Sequence, residues 1–71
     1  MKVPAEFLDN AVELIRKEAR AAGWVGTLGM KDYAKQTYGA NLSLNRWGEW
    51  QKVSIRDERK YLMFILKISN G

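Results

Sequence analysis

Asp57-Glu58-Arg59-Lys60-Tyr61-Leu62-Met63-Phe64-Ile65-Leu66-Lys67-Ile68 is the stretch on which the fold turns. From Tyr61 to Leu66 the apolar residues run without a break. A run this short fits a buried strand and a buried helix alike, because period alone does not separate them. Read as a strand, it puts Leu62, Phe64, Leu66 and Ile68 on one face and Tyr61, Met63 and Ile65 on the other. Read as a helix, it starts from Asp57 as a capping carboxylate and runs to Lys67.

The segment before it weighs toward the strand. Glu49 to Arg56 alternates, with Gln51, Val53 and Ile55 on one side and Trp50, Lys52, Ser54 and Arg56 on the other. An extended Val53 and Ile55 need a cross-strand partner, and a two-stranded ribbon alone is marginal. A strand over Tyr61–Ile68 supplies that partner, with Asp57 to Lys60 as a polar hairpin connection.

Further toward the N-terminus, Leu42 and Leu44 alternate with polar residues, and Asn45-Arg46-Trp47-Gly48 reads as a turn. Met30, Tyr33, Ala34 and Tyr38 share a helical face that Gly39 ends. Gly23, Gly26 and Gly29 mark a turning loop. Before it, Phe7, Leu8, Ala11, Val12, Ile15, Ala19 and Ala22 recur at threes and fours, the stripe of an amphipathic helix that Gly23 stops. The expected fold is a single small α+β domain over residues 1–71. Two helices pack on a three-stranded antiparallel sheet in the order ααβββ. The expected core is Phe7, Leu8, Val12, Ile15, Tyr33, Val53, Ile55, Leu62, Phe64 and Leu66.

Composition narrows the chemistry. The 71 residues include no His and no Cys, so a disulfide and a thiolate or imidazole zinc site are excluded. Nucleophiles reduce to Ser43, Ser54 and Ser69, none beside an evident base. Asp57 and Glu58 adjoin in a turn, where both stay solvated. No enzyme activity and no cofactor are expected. No apolar run approaches the ~20 residues that span a bilayer, so no membrane partner is expected. Met1-Lys2-Val3-Pro4-Ala5-Glu6 lacks the apolar core of a secretory signal, which points to the cytoplasm. Twelve Lys and Arg against eight Asp and Glu give a net charge of +4. All of that excess falls in residues 23–71.

The strand reading of residues 61–68 carries a function with it. Helices cover one sheet face. The other face would then show Trp50, Tyr61, Met63 and Ile65 to water, rimmed by Lys52, Arg56 and Lys67. Apolar patches with polar rims mark interaction sites. The expected function is docking on a larger, acidic protein partner through this hairpin face, as a small regulator or inhibitor does. A homodimer burying the same face is a further option. The alternative is nucleic acid, held by Arg46, Trp47, Arg59 and Lys60 at the hairpin ends and by the loop at 23–29, where cations meet phosphate and rings meet bases. Gly26-Thr27-Leu28-Gly29, flanked by helices, resembles the GXXG loop of KH domains, in which bare backbone lets a nucleic-acid chain approach. It departs from that family in having no strand before the first helix and no cation at Thr27 or Leu28.

Overall fold

The computed structural model describes residues 1–70. A single 3-10 turn at Ala5–Phe7 leads into helix α1 (Leu8–Ala21) and helix α2 (Gly26–Tyr38). Strands β1 (Ala40–Leu44) and β2 (Trp50–Ile55) follow, and helix α3 (Glu58–Asn70) closes the chain. The architecture is a small α+β domain of three helices on a two-stranded antiparallel sheet. The expected ααβββ order with a third strand over Tyr61–Ile68 is overturned.

Helix α1 forms as its period dictates. Ala11, Val12, Ile15 and Ala19 are buried along one stripe. Gly23, at φ 87, ends it. The Trp24 N–H donates to Ala19 O at 2.9 Å and the Gly23 N–H to Arg20 O at 3.1 Å. Together these bonds satisfy carbonyls that the last turn would otherwise leave open, and only glycine takes that left-handed position without strain. Helix α2 ends the same way at Gly39, φ 65. Gly26 to Gly29, expected in a loop, form its first turn instead.

The hairpin is organised by Asn45. Its side-chain oxygen accepts the Trp47 N–H at 2.9 Å and the Glu49 N–H at 3.0 Å. The ladder pairs Ala40 with Ile55, Leu42 with Val53 and Leu44 with Trp50, and skips Gln51 at a bulge. One unpaired residue reverses the alternation beyond it. Trp50 therefore lies on the same face as Val53 and Ile55 and packs partly buried against the core. The expected outward Trp50 is corrected accordingly. Asn41, Ser43, Lys52 and Ser54 occupy the opposite, polar face.

The need of β2 for a second neighbour is real, but residues 61–68 do not meet it. Met1–Val3 does. The Val3 N–H donates to Val53 O and the Ile55 N–H to Met1 O, both at 2.8 Å, with Lys2 bridging to Ser54. Val3 is buried as a result. With that edge taken, the last segment is released to form a helix. Asp57 accepts the Lys60 N–H at 3.0 Å, which places it as the N-cap of α3.

The core gathers Val12, Ile15, Val53, Ile55 and Phe64, as the sequence implies, together with Val3, Met30, Tyr38, Leu42 and Ile68. Phe7, Leu8 and Tyr33 pack against its margin. Leu62 and Leu66 do not belong to it. Both are exposed on α3, because helical geometry turns them away from Phe64 and Ile68.

Candidate functional site

Helix α3 is amphipathic in an unusual sense: both of its sides carry large apolar residues. Phe64 and Ile68 are buried, and Tyr61 and Ile65 flank them half-buried. On the far side Leu62, Met63 and Leu66 remain 54%, 58% and 61% exposed. Residues three and four apart are neighbours on a helix surface. The three side chains therefore form one continuous patch, and Arg59 lies one turn before Leu62 and Met63 in the same stripe. Lys60 stands along one border. No carboxylate occurs between Arg59 and Lys67. Among the described residues neither Arg59 nor Lys60 makes an ion pair.

A polar cluster fixes the C-terminal half of α3 against the other helices. Glu18 of α1 accepts hydrogen bonds from the Tyr33 hydroxyl at 3.1 Å and from the Tyr38 hydroxyl. Lys67 donates to the Tyr38 hydroxyl at 2.9 Å and reaches Glu18 at 3.5 Å. Its ammonium also lies 5.1 Å from the Tyr38 ring centroid. Burial, then the Glu18 carboxylate, raises the Tyr38 pKa above its ordinary 10.0, and the same causes raise Tyr33. The bond to Tyr38 raises Lys67 above 10.5. The Tyr38 ring meets Phe64 edge-on with centroids 5.0 Å apart. One cluster thus orients α3 and keeps its outer stripe facing water.

The residues expected to bind a partner are dispersed by the helix. Met63 alone of the expected apolar set is on the exposed patch. Trp50 and Ile65 pack at the core margin, and Tyr61, half-buried, directs its hydroxyl to Lys2 O at 3.4 Å. Lys52 and Arg56 are exposed at the sheet. Lys67 is engaged by Tyr38 and Glu18. Arg46 and Trp47 sit at the hairpin turn, with the guanidinium 4.9 Å from the indole centroid. Arg59 and Lys60 lie in the first turn of α3, away from that turn in sequence and element. Leu62 and Leu66 are the residues that sequence reasoning assigned to the core and the structure exposes. The signal for them was Asp57, whose cap selects the helical period over the strand one.

Two hollows flank α1. One, of about 550 Å³, lies between α1 and α3 and is lined by Leu14, Lys17, Arg20 and Lys67 among others. The second, of about 380 Å³, lies where α1, the start of α2 and β2 meet. Arg16 and Arg20 border both. No described helix is long and apolar enough to cross a membrane. No family model matches the chain, and no curated protein or solved structure matches it.

Proposed function

We propose that the chain is a non-catalytic binding module that docks on a larger protein through the outer face of α3. The observation that carries the reading is the contiguous exposure of Leu62, Met63 and Leu66 on a helix whose opposite side is core. Exposed apolar side chains grouped in this way mark interaction surfaces. Burying one leucine fully contributes about 1.5–3 kcal/mol, so two leucines and a methionine, each half exposed in the free chain, supply a useful share of a docking energy. An unsatisfied apolar helix face fits an apolar groove on the partner.

Charge selects among occupants. Arg59 and Lys60 stand in the first turn beside the patch, against the single carboxylate Glu58 one turn before Leu62, and the chain carries +4 overall. A second copy, related by a twofold axis, would set the same cations near each other. An acidic rim around an apolar groove complements them instead. The occupant is therefore a different protein with carboxylates bordering an apolar contact.

Site-specific photo-crosslinking tests this. A photo-reactive amino acid replaces Leu66 in one variant and Asn41, on the polar sheet face, in another. In lysate of the source organism the position-66 probe should link a protein whose linked segment combines apolar residues with Asp or Glu. Arg59→Glu should lower the yield several-fold, and the position-41 probe should link little. Linkage of the chain to itself, linkage to nucleic acid, equal yields from both positions, or no linkage would each overturn the reading.

A further inference from the structure

The 380 Å³ hollow at the junction of α1, α2 and β2 has a composition that the α3 surface lacks. Arg16 and Arg20 come from adjacent turns of α1, Trp24 from the α1–α2 link, Thr27 and Met30 from α2, and Trp50 from the bulged start of β2. Among the described residues no carboxylate lines it. Its volume falls in the range of about 300–1,000 Å³ typical of small-ligand clefts.

Each wall is set by a feature of the fold. The Gly23 helix stop brings Trp24 back under Ala19. Gly29 leaves room for that return, since a Cβ there would meet the Trp24 backbone carbon at 3.3 Å and its Cβ at 3.4 Å. The Gln51 bulge turns Trp50 to the same side of the sheet as the core. Both indoles pack partly buried against the core. Trp24 is held further by an edge contact to Tyr33, with centroids 6.4 Å apart. The rings are thus ordered before any ligand arrives, which lowers the entropic cost of binding. Arg16 pairs with Glu13, but the pair is exposed, and Glu13 does not border this hollow. An exposed pair of that kind is weak and exchanges readily. Arg20 has no ion pair among the described residues.

Two arginines and two tryptophans on the lining of one hollow match one ligand chemistry: an anion joined to a flat aromatic ring. Guanidinium holds phosphate through paired N–H donors, and indole stacks on a base. We infer that this hollow binds a phosphate-bearing nucleobase, supplied either as a free nucleotide or as one unit of a single strand. This site lies apart from the α3 face and uses none of its residues, so either assignment can fail alone.

The test uses tryptophan fluorescence in a Trp47→Phe background, because Trp47 is 72% exposed outside the hollow and would otherwise dilute the signal. The probes are AMP, a deoxyadenosine octamer and inorganic phosphate at low salt. AMP or the octamer should quench emission saturably. Arg20→Ala should weaken that binding about tenfold, the expected loss of a charge-assisted hydrogen bond. Lys35→Ala, an equal loss of charge at an exposed site outside the hollow, should change it less than twofold. Thermal unfolding confirms that both variants fold. Equal affinity for AMP and octamer assigns a free nucleotide, and an octamer preference of tenfold or more assigns a strand. Quenching by phosphate alone as strong as by AMP, equal weakening by the two substitutions, or no quenching by any probe would overturn the inference.

Discussion

Phe64 and Leu66 stand two residues apart and face opposite sides of α3: Phe64 has no exposed surface, whereas Leu66 is 61% exposed. In a strand the two would share a face. In a helix a step of two residues turns the side chain through about 200°. This relation separates the core-forming side of the segment from its water-facing side.

The pair gives a direct stability contrast. Phe64→Ala should cost about 3–5 kcal/mol through lost burial and a residual cavity. A chain of this length has roughly 4–10 kcal/mol in total, at about 0.05–0.15 kcal/mol per residue, so this variant should be largely unfolded on warming. Leu66→Ala should stay within about 0.5 kcal/mol of the parent, as exposed substitutions do. Urea denaturation followed by circular dichroism measures both. Equal losses would mean that the two side chains share a buried face.

The cap at Asp57 should be worth about 1 kcal/mol, since Asp57→Ala leaves the Lys60 N–H without its acceptor. In a domain of this size that lowers Tm by about 4–8 °C. Asp57→Ser should restore most of the loss. Identical melting of all three proteins would remove the cap from the account.

Gly39 sits at φ 65 with nothing within 4 Å of the position a Cβ would take. Gly39→Ala should therefore destabilise by about 1 kcal/mol through backbone strain alone. Calorimetry would show a lower Tm with no change in the spectrum of the folded state. A raised Tm would mean that this residue is not left-handed.

Alkaline pH should loosen the Glu18–Tyr38–Lys67 cluster. Folding raises the Tyr33 and Tyr38 pKa values above 10.0 and that of Lys67 above 10.5. The folded state thus retains protons that the unfolded state releases first. The associated stability is fully present below about pH 10 and is lost as pH rises through the folded values. Tm should be flat at neutral pH and fall above pH 10, and Tyr38→Phe should shallow that fall. A parent and variant with parallel alkaline profiles would contradict the role given to Tyr38.

Much of the scaffold was legible in the residues. The α1 stripe, the stops at Gly23 and Gly39 and the turn at Asn45–Gly48 each rest on a local rule that tertiary contacts did not override. Residues 61–68 were not legible by period, because Phe64 and Ile68 face inward in either form. The deciding fact was remote in sequence. The edge of β2 that seemed to require Tyr61–Ile68 is taken by Met1–Val3, a segment whose two short backbone bonds have no compositional signature. The inward Trp50 is hidden for a related reason, since a bulge at Gln51 inverts a strict alternation and nothing in Trp50-Gln51-Lys52 announces it. The candidate site followed the fold. Once the segment became a helix, Leu62 and Leu66 left the core and became the surface, and of the expected apolar contacts Met63 alone kept its exposure. Arg16 and Arg20 carry no signal in the sequence, because Trp24 and Trp50, which line the same hollow, come from other elements.

The most direct measurement of the central claim is an amide chemical-shift map of the isotope-labelled chain, free and with the protein segment that the position-66 probe links. The free chain should show helical Cα shifts from Glu58 to Ser69. Addition of the segment should move the Arg59, Leu62, Met63 and Leu66 amides and leave those of Asn41 and Ser54 in place. Extended-chain shifts over Tyr61–Ile68, or changes centred on the sheet while α3 stays silent, would contradict docking through the outer face of this helix.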